Sequence, residues 1–174
     1  MVSLDRPSVE IGAQPPAIRP YSSADFAWAS ELLSLTGGRY RVRRGVVVDV
    51  ALLAGLVADR QGHPAALITF GRPGIEILEI SAIASAPFDD DLVSALITAC
   101  IVQRQPACRR VYAICSNAEF DMQRLLQQDG FRLATVRPGS IDAAAQTSSR
   151  PLVREFGGLP VRDEIEYERL FTPA

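Results

Sequence analysis

Residues Ile75 to Ala84 form a largely apolar run, and a few positions later the hydrophobic spacing switches to that of a helix. An apolar strand of this kind belongs in the centre of a sheet, with both faces covered. From Leu92 onward, Leu92, Ala95, Leu96, Ala99 and Val102 mark one face of an amphipathic helix that ends before Pro106. A central strand running into an amphipathic helix sets a layered α/β architecture.

The flanking segments fill in that architecture. Ala17-Ile18-Arg19 reads as a short strand stopped by Pro20, and Ser22 or Ser23 caps a helix with Phe26, Ala29, Leu32 and Leu33 on one face, ended by Gly37-Gly38. Leu53 to Asp59 and Ala65 to Phe70 flank a hairpin turn at Arg60 to His63, and Arg72-Pro73-Gly74 is a second turn leading into the central strand. Val111 to Cys115 is a strand. Ser116 and Glu119 form a capping-box pattern opening a helix through Met122, Leu125 and Leu126 to Gly130. Leu133 to Val136 is a strand, Ile141 to Gln146 a short helix, Thr147 to Pro160 a loop, and Glu164 to Leu170 an alternating last strand. The sum is a mixed, mostly antiparallel twisted sheet with helices on both faces, of α/β (α+β) class. Met1 to Pro16, rich in Pro, Ser and Gly, reads as a poorly ordered tail before a single domain, 17–174.

Composition removes several function classes. A net charge of −2 argues against a dedicated nucleic-acid binder, which needs a basic footprint. No apolar run reaches the roughly 18–20 residues of a membrane helix, and Met1 to Pro20 has no continuous apolar segment, so a cytoplasmic location is expected. Cys100, Cys108 and Cys115 are odd in number and, with His63 as the single imidazole, give no zinc pattern, so no metal is expected. All 18 basic residues are arginine, which excludes lysine-based covalent catalysis.

Several segments, in order, resemble the GNAT N-acetyltransferase superfamily over about Ala17 to Phe171. They are Ser116-Asn117, Asp121 to Leu133 with its Gly130-Phe131, Arg137 to Asp142, and Leu159 to Glu166, whose Leu-Pro-Val-Arg-Asp-Glu-Ile-Glu resembles the last strand of one bacterial subgroup. The resemblance implies the GNAT fold and an acyl-CoA-dependent N-acyltransferase of unknown amine substrate, with acetyl-CoA or another acyl-CoA as cofactor. A small-molecule or peptide amine would be the partner, and a homo-oligomer is admitted. The cofactor's pantetheine would lie beside Ile80, Ser81 and Ala82 and near Asn117. Its pyrophosphate would meet the helix start at Asp91, Leu92 and Val93, where unpaired amides attract an anion.

The resemblance departs at that helix start. The family places Arg or Gln and two glycines in this loop; here Phe88, Asp91 and Val93 stand at those positions, in Phe88-Asp89-Asp90-Asp91-Leu92-Val93. A carboxylate about 4 Å from a phosphate charge costs about 1 kcal/mol in water and roughly 4 at an effective dielectric of 20. An aspartate at the N-cap would instead satisfy the same amides from within. The alternative is therefore a non-catalytic GNAT-like protein binding a ligand or protein partner, its CoA site closed by Asp89, Asp90 and Asp91. The tyrosine that the family commonly places four residues before the Gly of Gly-Phe is Leu126 here.

Three further groups carry candidate chemistry. Glu79, and less so Glu76, on the central strand are candidates for the general base, since a buried carboxylate has a raised pKa. Glu164, Glu166 and Glu168 share one strand face, either recognising an amine or forming a solvated ladder paired with Arg132 or Arg137. Arg39, Arg41, Arg43 and Arg44 read as a solvated surface run or an anion-binding lip.

Overall fold

The computed structural model describes residues 15–172; of the expected tail, residues 1–14 lie outside them. β1 (Ala17–Pro20) leads through one 3-10 turn into α1 (Phe26–Leu35), followed by a hairpin of β2 (Tyr40–Arg43) and β3 (Val46–Asp49). β4 (Ala54–Arg60), β5 (His63–Gly74) and β6 (Ile77–Ser85) form a meander that runs into α2 (Asp90–Val102). Then come β7 (Arg110–Ser116), α3 (Phe120–Gln128), β8 (Arg132–Arg137), α4 (Ser140–Thr147), a small hairpin of β9 (Glu155–Phe156) and β10 (Leu159–Pro160), and β11 (Glu164–Leu170).

Seven strands make one sheet in the order β1-β4-β5-β6-β7-β11-β8. Its neighbours are antiparallel except β6 and β7, which are parallel. The parallel pair is joined by α2, as a crossover connection requires. Alternation along β4 fixes the two layers: Leu56 and Ala58 pack under α2, while Val57 packs with Ala29, Leu32 and Leu33 of α1. On the α2 face, Leu92, Val93, Leu96 and Ile97 join Leu125 and Leu126 of α3 over Ile68, Leu78, Ile80 and Val111. Gln61-Gly62, with φ of 53° and 80°, closes the β4–β5 hairpin in the left-handed region that two-residue turns use.

The second expected turn sits elsewhere. β5 runs on through Arg72-Pro73-Gly74 and the chain turns at Ile75-Glu76, closed by the Gly74–Ile77 pair. An irregularity between Gly71 and Gly74 carries Pro73 where no ladder donor is needed. Glu76 is thus a turn residue rather than a strand residue. The expected loop Thr147 to Pro160 contains the β9–β10 hairpin, and the arginine run Arg39 to Arg44 supplies a strand, β2, that periodicity alone did not mark.

One irregularity in β6 matters most. Phe70 pairs with Ile80 and Thr69 with Ala82, so Ser81 is a bulge. An extra residue reverses the alternation after it. Leu78 and Ile80 therefore face α2, whereas Ala82 and Ala84 face α1.

Leu96, 0% exposed, stands at the centre of the α2 face. Leu96→Ala should lower unfolding free energy by about 2–5 kcal/mol, read from a shifted urea midpoint at unchanged m-value.

Candidate functional site

The parallel ladder between β6 and β7 has four rungs, from Ile77↔Arg110 to Ile80↔Ala113, and then stops. Both strands continue, to Ser85 and Ser116, but they diverge. The facing edges beyond Ile80 and Ala113 have no ladder partner, so something else must meet their polar groups.

On the α1 face the β2–β3 hairpin meets them. Arg43 is 7% exposed and donates from Nη1 to the Ile114 carbonyl at 2.9 Å, in the divergent stretch of β7. Its Nε lies 3.5 Å from Glu79 Oε1. Burial, with Arg41 close by, pulls this guanidinium below its ordinary pKa against the opposing pull of Glu79. Arg41, equally buried, donates from Nη1 to Glu119 Oε1 at 2.8 Å and from Nη2 to the Thr36 carbonyl at 2.5 Å. Glu119 also accepts from the Ser116 amide at 2.7 Å. Burial opposes its ionisation, but Arg41, the Ser116 amide and Arg43 outweigh burial and hold the carboxyl below its usual range. The expected capping box is thus half present: Glu119 reaches back to the Ser116 amide, but α3 starts three residues later than the pattern implies, at Phe120 with Glu119 as its N-cap, and the carboxylate serves chiefly as the partner of Arg41.

The hairpin is held down by the carboxylates of β11. Glu164, 0% exposed, accepts the amides of Arg44 and Gly45 at 2.7 and 3.2 Å. Glu166, 1% exposed, is met by Arg44 at 2.9 Å, Arg110 at 2.5 Å and Arg137 at 2.9 Å. Glu168 pairs with Arg110 and with Arg132. The pairing with Arg132 and Arg137 follows the sequence expectation, but the solvated face does not: the hairpin covers it, and Arg41 and Arg43 are interior residues rather than a surface run.

Glu79 accepts a hydrogen bond from Tyr112 Oη at 2.5 Å and a longer one from Ser81 Oγ at 3.4 Å. Burial and this bond push the Tyr112 hydroxyl well above its usual pKa. Glu79 is absent from the lining of the cavities described below, whereas Glu119 lines each of them. Glu76 pairs with Arg109 in its exposed turn. His63 is exposed in the β4–β5 hairpin, and Cys115 is buried, its thiol pushed far up by desolvation.

Beyond the end of the ladder lies a cavity of about 380 Å³. Its walls are the end of β6 and the following loop (Ile83 to Phe88), the start of α3 (Ala118 to Met122), the end of α1 (Leu35, Thr36) and the β9–β10 hairpin (Phe156, Gly157, Leu159). A smaller cavity of about 30 Å³, with Arg41, Arg43 and Tyr40 in its lining, adjoins it through Glu119 and Phe156. Of the sequence candidates, Ile80 and Ala82 flank the closed end of the split beside Cys115. Asn117 is committed elsewhere: it donates to the Pro160 carbonyl and accepts the Arg162 and Asp163 amides, tying the β10–β11 segment to the end of β7.

At the α2 end, Asp89 is the N-cap: its carboxylate accepts the Leu92 amide at 3.1 Å, and its own amide donates to Ser85 Oγ at 3.0 Å. Arg60 pairs with Asp89 at 2.7 Å and Arg124 with Asp90 at 2.8 Å. Asp91 is exposed, and Leu92 and Val93 are core residues. Among the described residues no cluster of three or more His, Cys, Asp or Glu is placed to hold a metal ion, and no helix is long and apolar enough to cross a membrane.

Comparison of this architecture with solved structures gives matches over about nine-tenths of the chain. An IAA acetyltransferase from Bacillus cereus superposes with a TM-score of 0.68 at 15% identity, over 90% of this chain and 99% of that one. An acetyltransferase from Bacillus subtilis in complex with CoA gives 0.66 at 15%, over 90% and 99%. A GNAT family acetyltransferase from Elizabethkingia anophelis with acetyl-CoA bound gives 0.62 at 14%, over 91% and 99%. No family model matches the sequence, and no curated protein does. What is shared at this identity is the fold: the chain has the GNAT fold, as the ordered sequence segments imply.

The Glu166 network makes stability acid-sensitive. Burial opposes its charge, but Arg44, Arg110 and Arg137 hold its pKa below the usual 4.5. A depressed carboxyl contributes stability above its unfolded pKa and loses it as pH falls through the folded value. The melting temperature should therefore fall as pH drops below about 4.5. Glu166→Gln, which removes the buried carboxylate that three part-exposed arginines share, should cost about 1–3 kcal/mol at pH 7 and flatten that acid dependence.

Proposed function

We propose that the chain is an acyltransferase that moves an acyl group from an acyl-CoA thioester to an amine. The observation that carries this reading is the early end of the β6–β7 ladder, beyond which lies the cavity of about 380 Å³ between the loop that follows β6 and the start of α3. That volume lies within the range of small-molecule sites, and its lining is mostly apolar with a few polar groups, as such sites are. Acyl-CoA-bound proteins of the same fold support the choice of ligand. The residues toward the split, Ile80, Ser81, Ala82 and Ile83, would flank the thioester, with backbone amides of the divergent β6 edge positioning its carbonyl. Asp91, Leu92 and Val93 at the α2 start would lie nearest the donor's phosphates, and Asn117 would position the β10–β11 segment behind the arm.

In the transfer, the amine lone pair forms a C–N bond to the thioester carbon while the C–S bond breaks. The thiolate leaves, and the ammonium proton passes to the thiolate or to water. Glu119, at the junction of the two cavities and held ionised by Arg41, is placed to attract a cationic amine, which loses one proton to water before its lone pair attacks the thioester. Glu79 enters this proposal as a positioning residue: it braces Arg43 and Tyr112 behind the split. The closed, non-catalytic alternative rests on the Asp89 cap, and the open cavity beside that cap weighs against it.

Calorimetric titration with acetyl-CoA tests the reading, with one binding site expected at micromolar to sub-millimolar concentration; no heat at millimolar ligand would overturn it. Phe120, 62% exposed on the cavity wall, can be truncated without touching the core. Phe120→Ala should weaken acetyl-CoA by about tenfold, roughly 1.4 kcal/mol, at unchanged melting temperature.

A further inference from the structure

We infer that the groove selects its donor by the pantetheine arm alone and offers the nucleoside diphosphate no holding site. This rests on the acyltransferase reading above and sharpens it to a substrate class: thioesters of pantetheine, with or without the nucleotide.

A helix start binds a diphosphate when it presents free amides, bare backbone and a positive dipole end. At α2 the amides are partly taken, the backbone is covered and the charge is reversed. The Asp89 amide is taken by Ser85 Oγ, and the Leu92 amide by the Asp89 carboxylate. Val93 is fully buried in the core cluster, so its position is fixed by packing and carries no exposed backbone for a phosphate to approach. Three carboxylates crowd the first turn, and their arginines, Arg60 and Arg124, neutralise Asp89 and Asp90 but leave Asp91 uncompensated. Those same pairings occupy the guanidiniums of Arg60 and Arg124. An arriving diphosphate would thus meet one net negative charge and a first turn whose Leu92 amide is already bonded by Asp89, its Asp90 and Asp91 amides lying beside their own carboxylates. Phe88 adds an apolar side chain where a cation would help; it packs against the core and lines the cavity.

The rest of the groove is undamaged. Ile83, Ala84, Met122 and Leu159 present apolar walls, and the β6 edge beyond Ile80, free of a ladder partner, offers backbone groups to the two amide groups of a pantetheine arm, the Ile114 carbonyl across the split being taken by Arg43. Recognition is therefore concentrated in the arm.

The test is calorimetric titration with CoA and with pantetheine, at low and moderate salt. Affinities within about threefold of each other are expected, with CoA binding unchanged or improved by salt, because screening relieves repulsion. CoA binding at least thirtyfold tighter than pantetheine, and weakening with salt, would overturn the inference while leaving the acyltransferase reading intact. If neither binds, the acyltransferase reading fails and this inference with it. Replacing the three carboxylates together (Asp89→Ser, Asp90→Ala, Asp91→Gly) should raise the CoA preference over pantetheine at least tenfold. Pantetheine affinity in that variant reports whether the groove still folds. An unchanged preference with pantetheine binding retained would also contradict the inference.

Discussion

Two parallel strands that separate after four rungs leave backbone groups inside the protein without their natural partners. The rest of this structure is arranged around that separation. The Ser81 bulge in β6 sets where it happens and reverses which side chains face which layer. On one face Arg43 reaches into the split and bonds the Ile114 carbonyl, and beyond the end of the β6 strand lies the apolar cavity. A single backbone feature thus makes both a demand for buried donors and a space for a ligand.

Meeting that demand with guanidinium groups has consequences. Arg41 and Arg43 are interior charges, and interior charges are tolerated when paired and hydrogen-bonded. Glu119 and Glu79 lie beside them, while Glu164 and Glu166 hold the hairpin that carries them. The three acidic residues of β11 therefore have a structural occupation. Covering this face with a charged hairpin gives the acceptor side of the groove a polar character set by Glu119 and Arg41, while the donor side stays apolar.

The helices, the central strand and β11 were legible in the sequence because their periodicity is local and strong. Leu92 to Val102 and Glu164 to Leu170 fold much as their spacing indicates. The β2–β3 hairpin was not. Its turn residue Arg44 adopts φ 52°, which arginine does rarely, and the Arg-rich strand resembles a solvated run until its partners are known. Those partners, Glu119 and Ile114, lie 78 and 71 residues away in the chain, beyond any local pattern. The Asp89 cap was readable because capping is a short-range preference, and it appears where the aspartates stand. Glu119 was half readable: its reach to Ser116 is local, its pairing with Arg41 is not. Glu79 was singled out for lying on the central strand, yet the Tyr112 bond and the hairpin above it depend on tertiary packing.

The central claim is that the opened β6–β7 split and the cavity beside it receive the donor. Hydrogen exchange followed by mass spectrometry, with and without saturating acetyl-CoA, tests this most directly. The account predicts slowed exchange confined to peptides covering Ser81 to Phe88 and Ile114 to Met122, with the Tyr40 to Asp49 hairpin unchanged. Protection appearing in the hairpin or the distant edge strand β8, with none along the split, would contradict it.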